Sequence, residues 1–181
     1  MRWLREILSG TAGGRNMAAL TAGTKAPEFK LKTGDGAPFV LLDELARGPV
    51  VLAFFKVSCP TCQYAFPFLE RLHQAYKQKG YKLVGISQND AKATAAFVRD
   101  FSVTFPVLLD DTRSYPVSNA YGLTNVPTIF WIAGDGTIEV SSVGWLKKDF
   151  QEIAQRMASA GSQPTMPVFK PGEQVQDFKA G

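Results

Sequence analysis

The sequence predicts an α/β domain, a central mixed sheet flanked by helices, with a β-hairpin added on its N-terminal side. Three observations carry this reading. The run Val50 to Val57 is apolar almost throughout, as a strand covered on both faces of a mainly parallel sheet must be. From that run to Leu109, strand-like and helix-like segments alternate. Near the C-terminal side, Thr128-Ile129-Phe130-Trp131-Ile132 and Thr137-Ile138-Glu139-Val140-Ser141 flank Gly134-Asp135-Gly136, and an Asp-Gly pair between two strand-like segments signals an antiparallel hairpin.

Taken in order, residues 1–24 join a short helix-like segment to Gly- and Thr-rich sequence and read as a loosely attached arm. Phe29-Lys30-Leu31 and Phe39-Val40-Leu41 flank Thr33-Gly34-Asp35-Gly36, the added hairpin, and Asp43 to Gly48 reads as one helical turn closed by glycine. After the Val50 strand come two cysteines and a helix. Its apolar stripe of Phe66, Leu69, Leu72 and Tyr76 has helical spacing, and Gly80 is its expected stop. Tyr81 to Ser87 reads as a strand, Ala91 to Phe101 as a helix, Phe105 to Leu109 as a strand, and Lys147 to Ala160 as the last helix. Residues 161–181, with three prolines and three glycines, read as a surface or disordered tail, which leaves 25–160 as the domain. No repeat of solenoid period is present.

The chain has 181 residues, 45% hydrophobic and 20% charged, the balance of a globular domain large enough to hold its core without staples. Lys+Arg number 20 against 16 Asp+Glu, but the charges are scattered, so they read as solvated surface and nucleic-acid binding is not expected. No stretch approaches the roughly 20 apolar residues of a membrane span. Arg5 and Glu6 interrupt the apolar run of Met1 to Leu8, which is too broken for the h-region of a signal peptide. The expectation is a cytoplasmic protein, with a periplasmic or secreted one as the alternative if an export signal has been removed. Met17 is a second candidate start.

Cys59 and Cys62 stand where a buried strand gives way to a helix, which puts Cys59 at or near the helix N-cap. Unpaired backbone N–H groups and the helix dipole favour a thiolate there. Pro60 suits the first helical position, where its missing N–H costs nothing. Lys56 adds positive potential or is an ordinary exposed lysine. A structural staple is a poor explanation for the pair, because closing so short a loop stabilises by only about 2 kcal/mol before strain. A closed four-ligand zinc site is also excluded within one chain, since two cysteines and one histidine are too few without carboxylates. That histidine, His73, falls roughly 16 Å beyond Cys62 along the predicted helix and reads as packed or partly exposed.

Phe54-Phe55-Lys56-Val57-Ser58-Cys59-Pro60-Thr61-Cys62 resembles the active-site stretch of thioredoxin-like proteins. Pro67 resembles their helix-kinking proline, Val126-Pro127-Thr128 their cis-proline motif, and Gly134-Asp135-Gly136 their final hairpin. The segment from Asp110 through Ala120-Tyr121-Gly122-Leu123 to Pro127 is similar to the redoxin, or AhpC/TSA-like, branch, and the likeness spans about residues 26–158. The resemblance implies a thioredoxin fold and a thiol:disulfide oxidoreductase. It also implies a cis bond before Pro127, with Pro60, Thr61, Val126 and Pro127 beside the thiols at the substrate.

In that chemistry Cys59 attacks a disulfide and Cys62 resolves the mixed disulfide, so the redox-active pair Cys59–Cys62 is the only cofactor implied, with no metal. Partners are protein or small-molecule thiols and disulfides and an external reductant or oxidant. Three positions depart from the pattern. Ala53 replaces the buried acid of many thioredoxins, Ala65 a glutamate of some cytochrome-maturation relatives, and Ser58 the usual tryptophan; the proton of Cys62 is left to water, backbone or another residue. Two rivals stand beside this reading. Cys59-Pro60-Thr61 also resembles a peroxiredoxin motif, but Lys56 replaces its Thr or Ser and no Arg lies between Gly122 and Trp145. The two thiols could also make a non-enzymatic carrier of a soft ion such as Cu(I).

Overall fold

The computed structural model describes residues 18–181. Its strands are β1 (Lys30–Thr33), β2 (Pro38–Val40), β3 (Val50–Phe55), β4 (Lys82–Ser87), β5 (Val107–Leu109), β6 (Thr128–Ile132), β7 (Ile138–Val143), β8 (Trp145–Leu146) and β9 (Phe178–Lys179). The helices are α1 (Leu41–Leu45), α2 (Pro60–Tyr76), α3 (Ala91–Asp100), α4 (Pro116–Ala120) and α5 (Lys147–Ala160). Seven strands form one mixed sheet in the order β2-β1-β5-β4-β3-β6-β7, while β8 and β9 pair separately. β3 runs parallel to β4 and antiparallel to β6, with Ala53 opposite Gly85 on one side and Ile129 on the other.

The side-chain alternation of β3 builds two cores. Val51, Ala53 and Phe55 face α2, α3 and α5, packing with Phe66, Leu69, Phe97 and Phe150. Val50, Leu52 and Phe54 face the other way, onto Leu45, Val84, Tyr121 and Phe130. All six β3 residues are fully buried, which is why the strand has no polar side. At about 1.5–3 kcal/mol for each large apolar side chain withdrawn from water, this strand anchors the site that follows it.

The thioredoxin fold and the N-terminal hairpin stand as the sequence implies, with differences at the ends. α2 stops at Tyr76 rather than near Gly80, because Lys77 and Gln78 both turn into the left-handed region (φ 50 and 52). Gly80 serves a different need: a Cβ there would lie 2.0 Å from the carbonyl oxygen of Ala160. α4 has no counterpart in the sequence reading. The buried carboxylate of Asp110 stops its first turn from fraying, accepting from the N–H groups of Val117 (3.3 Å) and Ser118 (2.8 Å).

Two expectations are corrected. Residues 18–24 are not loose, since the N–H of Leu20 donates to Tyr121 O (3.1 Å) and that of Gly23 to Ile138 O (2.8 Å). The helix-like reading of Met1 to Leu8 and the start at Met17 lie outside the described residues. Residues 161–181, read as a surface or disordered tail, lie on the surface but are not disordered. Val168 is buried, and Phe169 packs on Phe68 with ring centroids 5.5 Å apart. Arg71 holds Glu173 through two hydrogen bonds of 2.8 and 2.9 Å, Trp145 Nε1 donates to Gln176 O at 2.6 Å, and β9 pairs with β8. A composition rich in Pro and Gly hides three apolar anchors, Val168, Phe169 and Val175, that fit the surface made by α2 and Trp145. Among the described residues no helix is long and apolar enough to cross a membrane.

Candidate functional site

β3 ends at Phe55, and the chain crosses four residues before α2 begins at Pro60. This crossing is pinned from neighbouring elements. The N–H of Val57 donates to Asn89 Oδ1 (2.9 Å), from the loop after β4, and Gln63 Nε2 donates to Val57 O (2.8 Å). Asn89 is a site residue that motif reading missed. Its only sequence signal is its position just past the C-terminal end of a parallel strand, where α/β sheets gather functional loops.

Cys59 is the N-cap of α2, with extended φ −80 and ψ 116, and Pro60 follows at the first helical position. The sulfur of Cys59 accepts a hydrogen bond from the N–H of Cys62 at 3.2 Å, and its S–H donates to Val126 O at 3.2 Å. Both thiols are free. Cys59 is half-buried and Pro60 exposed, whereas Cys62 has no exposed surface and sits in an apolar cluster with Ala53, Ala65 and Phe66. Burial pushes the Cys62 thiol far above its ordinary range, and the neighbouring Cys59 sulfur pushes it the same way.

Val126 belongs to the turn entering β6. The Val126–Pro127 bond is cis, Pro127 is buried, and Thr128 Oγ1 closes the turn on Asn125 O at 2.7 Å. The motif cysteines and this turn, 67 positions apart, thus form one surface through the contact of Cys59 with Val126. Thr61 is buried, and its hydroxyl is satisfied by donating to Ala180 O (2.5 Å) of the C-terminal segment.

A polar recess of about 220 Å³ opens beside Val126, lined by Lys56, Gln88, Tyr115, Asn119 and Thr124. Lys56 lies over the ring of Tyr115 at 5.6 Å. A wider groove of about 1050 Å³ runs between β6, β7 and α5, along Trp131, Glu152 and Arg156, and includes neither cysteine. His73 is half-buried at the far end of α2, with its ring against Phe105, and burial lowers its pKa. It takes no part in the thiol surface.

Residues 22–141 match the AhpC/TSA family. Thiol-disulfide oxidoreductase ResA of Geobacillus thermodenitrificans (strain NG80-2) is 30% identical over 142 residues, covering 78% of this chain and 79% of its own. Among solved structures, a thiol:disulfide interchange protein of Chlorobium tepidum TLS superposes with a TM-score of 0.63 and 26% identity, covering 77% of this chain and 99% of its own. A secreted disulfide oxidoreductase of Mycobacterium tuberculosis, homologous to DsbE of E. coli, gives 0.60 and 27%, covering 72% and 95%. With its mixed seven-stranded sheet and its cysteine pair at the head of α2, the chain belongs to the AhpC/TSA family, in its thioredoxin-like redoxin branch, and is a thiol-disulfide oxidoreductase.

Proposed function

We propose that the chain exchanges disulfides through Cys59 and Cys62 in two steps. The thiolate of Cys59 attacks one sulfur of a substrate disulfide; a mixed disulfide forms and the other substrate sulfur leaves as a thiolate that takes up a proton. Cys62 then gives up its proton and attacks the Cys59 sulfur. The second substrate thiol leaves, and the protein holds the Cys59–Cys62 disulfide. The electrons that reduce the substrate come from the two protein thiols, and an external dithiol restores them. In the opposite direction the same pair oxidises a substrate dithiol.

The observation that carries this reading is the asymmetry of the two sulfurs. Cys59 is partly open at a helix N-terminus and accepts a backbone N–H, whereas Cys62 lies fully buried one turn further in. Attack from outside is open to the first, and the second is placed to strike the first. Pro60 and Val126, with Thr61 and Pro127 packed behind them, form the rim a substrate chain meets, and no cofactor beyond the cysteine pair enters the cycle.

The substrates are protein or small-molecule disulfides. The cytoplasmic expectation finds no support among the relatives, one of which is described as secreted, and an extracytoplasmic setting is the better reading. Trapping tests the mechanism. Cys62→Ser treated with a disulfide-closed peptide should accumulate one mixed disulfide on Cys59, visible by mass spectrometry and released by dithiothreitol, and Cys59→Ser should form none. Full turnover by Cys62→Ser would overturn the assignment.

A further inference from the structure

The C-terminal segment lies across the surface that a substrate of the proposed exchange must use. It is firmly held as far as Asp177. Arg71 donates to Val168 O (2.7 Å) and clasps Glu173, the N–H of Gln176 donates to Tyr64 Oη (3.1 Å), and the N–H of Lys147 donates to Asp177 O (3.0 Å). Beyond that point the hold is slight. β9 pairs with β8 through only two residue pairs, Trp145 with Lys179 and Leu146 with Phe178, and Phe178 is 60% exposed. Two side-chain bonds then fasten Ala180 and Gly181 to the site itself: Thr61 Oγ1 donates to Ala180 O (2.5 Å) and Asn125 Nδ2 to Gly181 O (3.2 Å).

Gly181 is packed so closely on the turn that a Cβ there would stand 2.6 Å from Val126 O. That same oxygen accepts from the Cys59 thiol. Two polypeptides cannot occupy this space together. A substrate backbone that approached the Cys59 sulfur between Thr61 and Val126 would have to lift residues 178–181 away first.

We propose that residues 178–181 are a self-bound strap, a built-in competitor that closes the polypeptide-binding edge of the thiol surface and is displaced by an extended substrate chain. The proposal rests on the dithiol reading above. Anchoring to Asp177 keeps the competitor at high local concentration, and its ladder of only two residue pairs lets it open. Small disulfides reach the half-buried Cys59 sulfur without displacing the strap, whereas a folded or extended chain cannot. The device therefore discriminates by substrate size, with an apparent affinity for polypeptides reduced by the fraction of molecules that are open.

The test compares two substrates, a small aromatic disulfide and a disulfide-closed peptide, on three proteins: the full chain, a deletion of residues 178–181, and Gly181→Val, whose side chain the contact with Val126 cannot admit. Both variants should reduce the peptide faster, by about tenfold if one molecule in ten is open at rest. Their rates with the small disulfide should stay unchanged. A peptide rate that is unchanged or falls in the deletion would overturn the strap, and so would equal losses on both substrates, which would mark residues 178–181 as support for the fold.

A second measurement needs no altered strap. In Cys62→Ser, forming the mixed disulfide with the peptide should strip hydrogen-exchange protection from the Lys179 amide, and retained protection would count against the proposal. If small-disulfide reduction by the full chain did not depend on Cys59, the dithiol reading itself would fail, and the strap with it.

Discussion

The backbone N–H of Cys62 donates to the sulfur of Cys59 at 3.2 Å, so the residue whose own thiol is buried supplies a hydrogen bond to the thiol that is open. The two sulfurs are therefore unequal before any substrate arrives. Iodoacetamide should label Cys59 first, and Cys62 should remain unlabelled until the protein is denatured. Peptide mapping after brief labelling of the reduced protein checks this, and prior labelling of Cys62 would reverse the assigned roles.

Burial of the Cys62 thiol also ties stability to pH. Its ordinary value is 9.0, and the fold raises it. A group that binds its proton more tightly in the folded chain contributes its full stabilisation below the ordinary value and loses it as pH rises toward the folded one. From pH 9 upward the reduced protein should thus lose stability relative to Cys62→Ser, by up to about 1.4 kcal/mol per pH unit. Urea unfolding of the two proteins at several pH values gives the difference, in which the tyrosines common to both cancel. A difference independent of pH would mean that Cys62 is not desolvated.

Asn89 holds the crossing before the motif by accepting the N–H of Val57. Asn89→Ala leaves that partly buried donor without a partner, a loss of about 1–3 kcal/mol. The labelling rate of Cys59 should shift with it, while Asn89→Asp, which keeps an acceptor, restores both. Failure of Asp to rescue would place the role of Asn89 elsewhere.

Trp145 is fully buried among Tyr64, Phe68 and Phe150 and donates to Gln176 O. Trp145→Ala should lower stability by about 3–5 kcal/mol, the usual cost of emptying so large a site. Trp145→Phe keeps most of the packing but drops the hydrogen bond, and should cost about 1 kcal/mol. Denaturant midpoints measure both.

Hydrogen peroxide should oxidise Cys59 without sustained turnover. The position three residues before the cysteine is Lys56, engaged over Tyr115, and no arginine lies in the segment from Gly122 to Trp145. Steady peroxide consumption supported by an external dithiol would revive the peroxidase reading.

Much of this architecture was legible in the residues because its signals are local. The apolar run of β3, the Asp-Gly turns and the stripe of Phe66, Leu69, Leu72 and Tyr76 each announce an element within a dozen positions, and α5 has the limits its periodicity predicts. What escaped depends on distant partners. α4 is five residues long, too short for a period, and is held by Asp110. Asn89 gains its role only when β4 ends beside β3. The C-terminal segment looks disordered by composition because its few apolar residues find their complement on α2, about a hundred positions away.

The sheet's two outer strands have a bearing on survival under stress. An unpaired edge is a template for adding a foreign strand, and long flat edges seed aggregates. Here β2 is three residues long and begins with Pro38, which has no N–H to offer. The opening of β7 is already occupied by the chain at Gly23 and Thr24, which bond to Ile138, and Lys25 bridges to Thr137. An intruding chain would find one margin short and the other partly taken, so edge-to-edge growth from the folded molecule is disfavoured at both flanks relative to growth from an unfolded one.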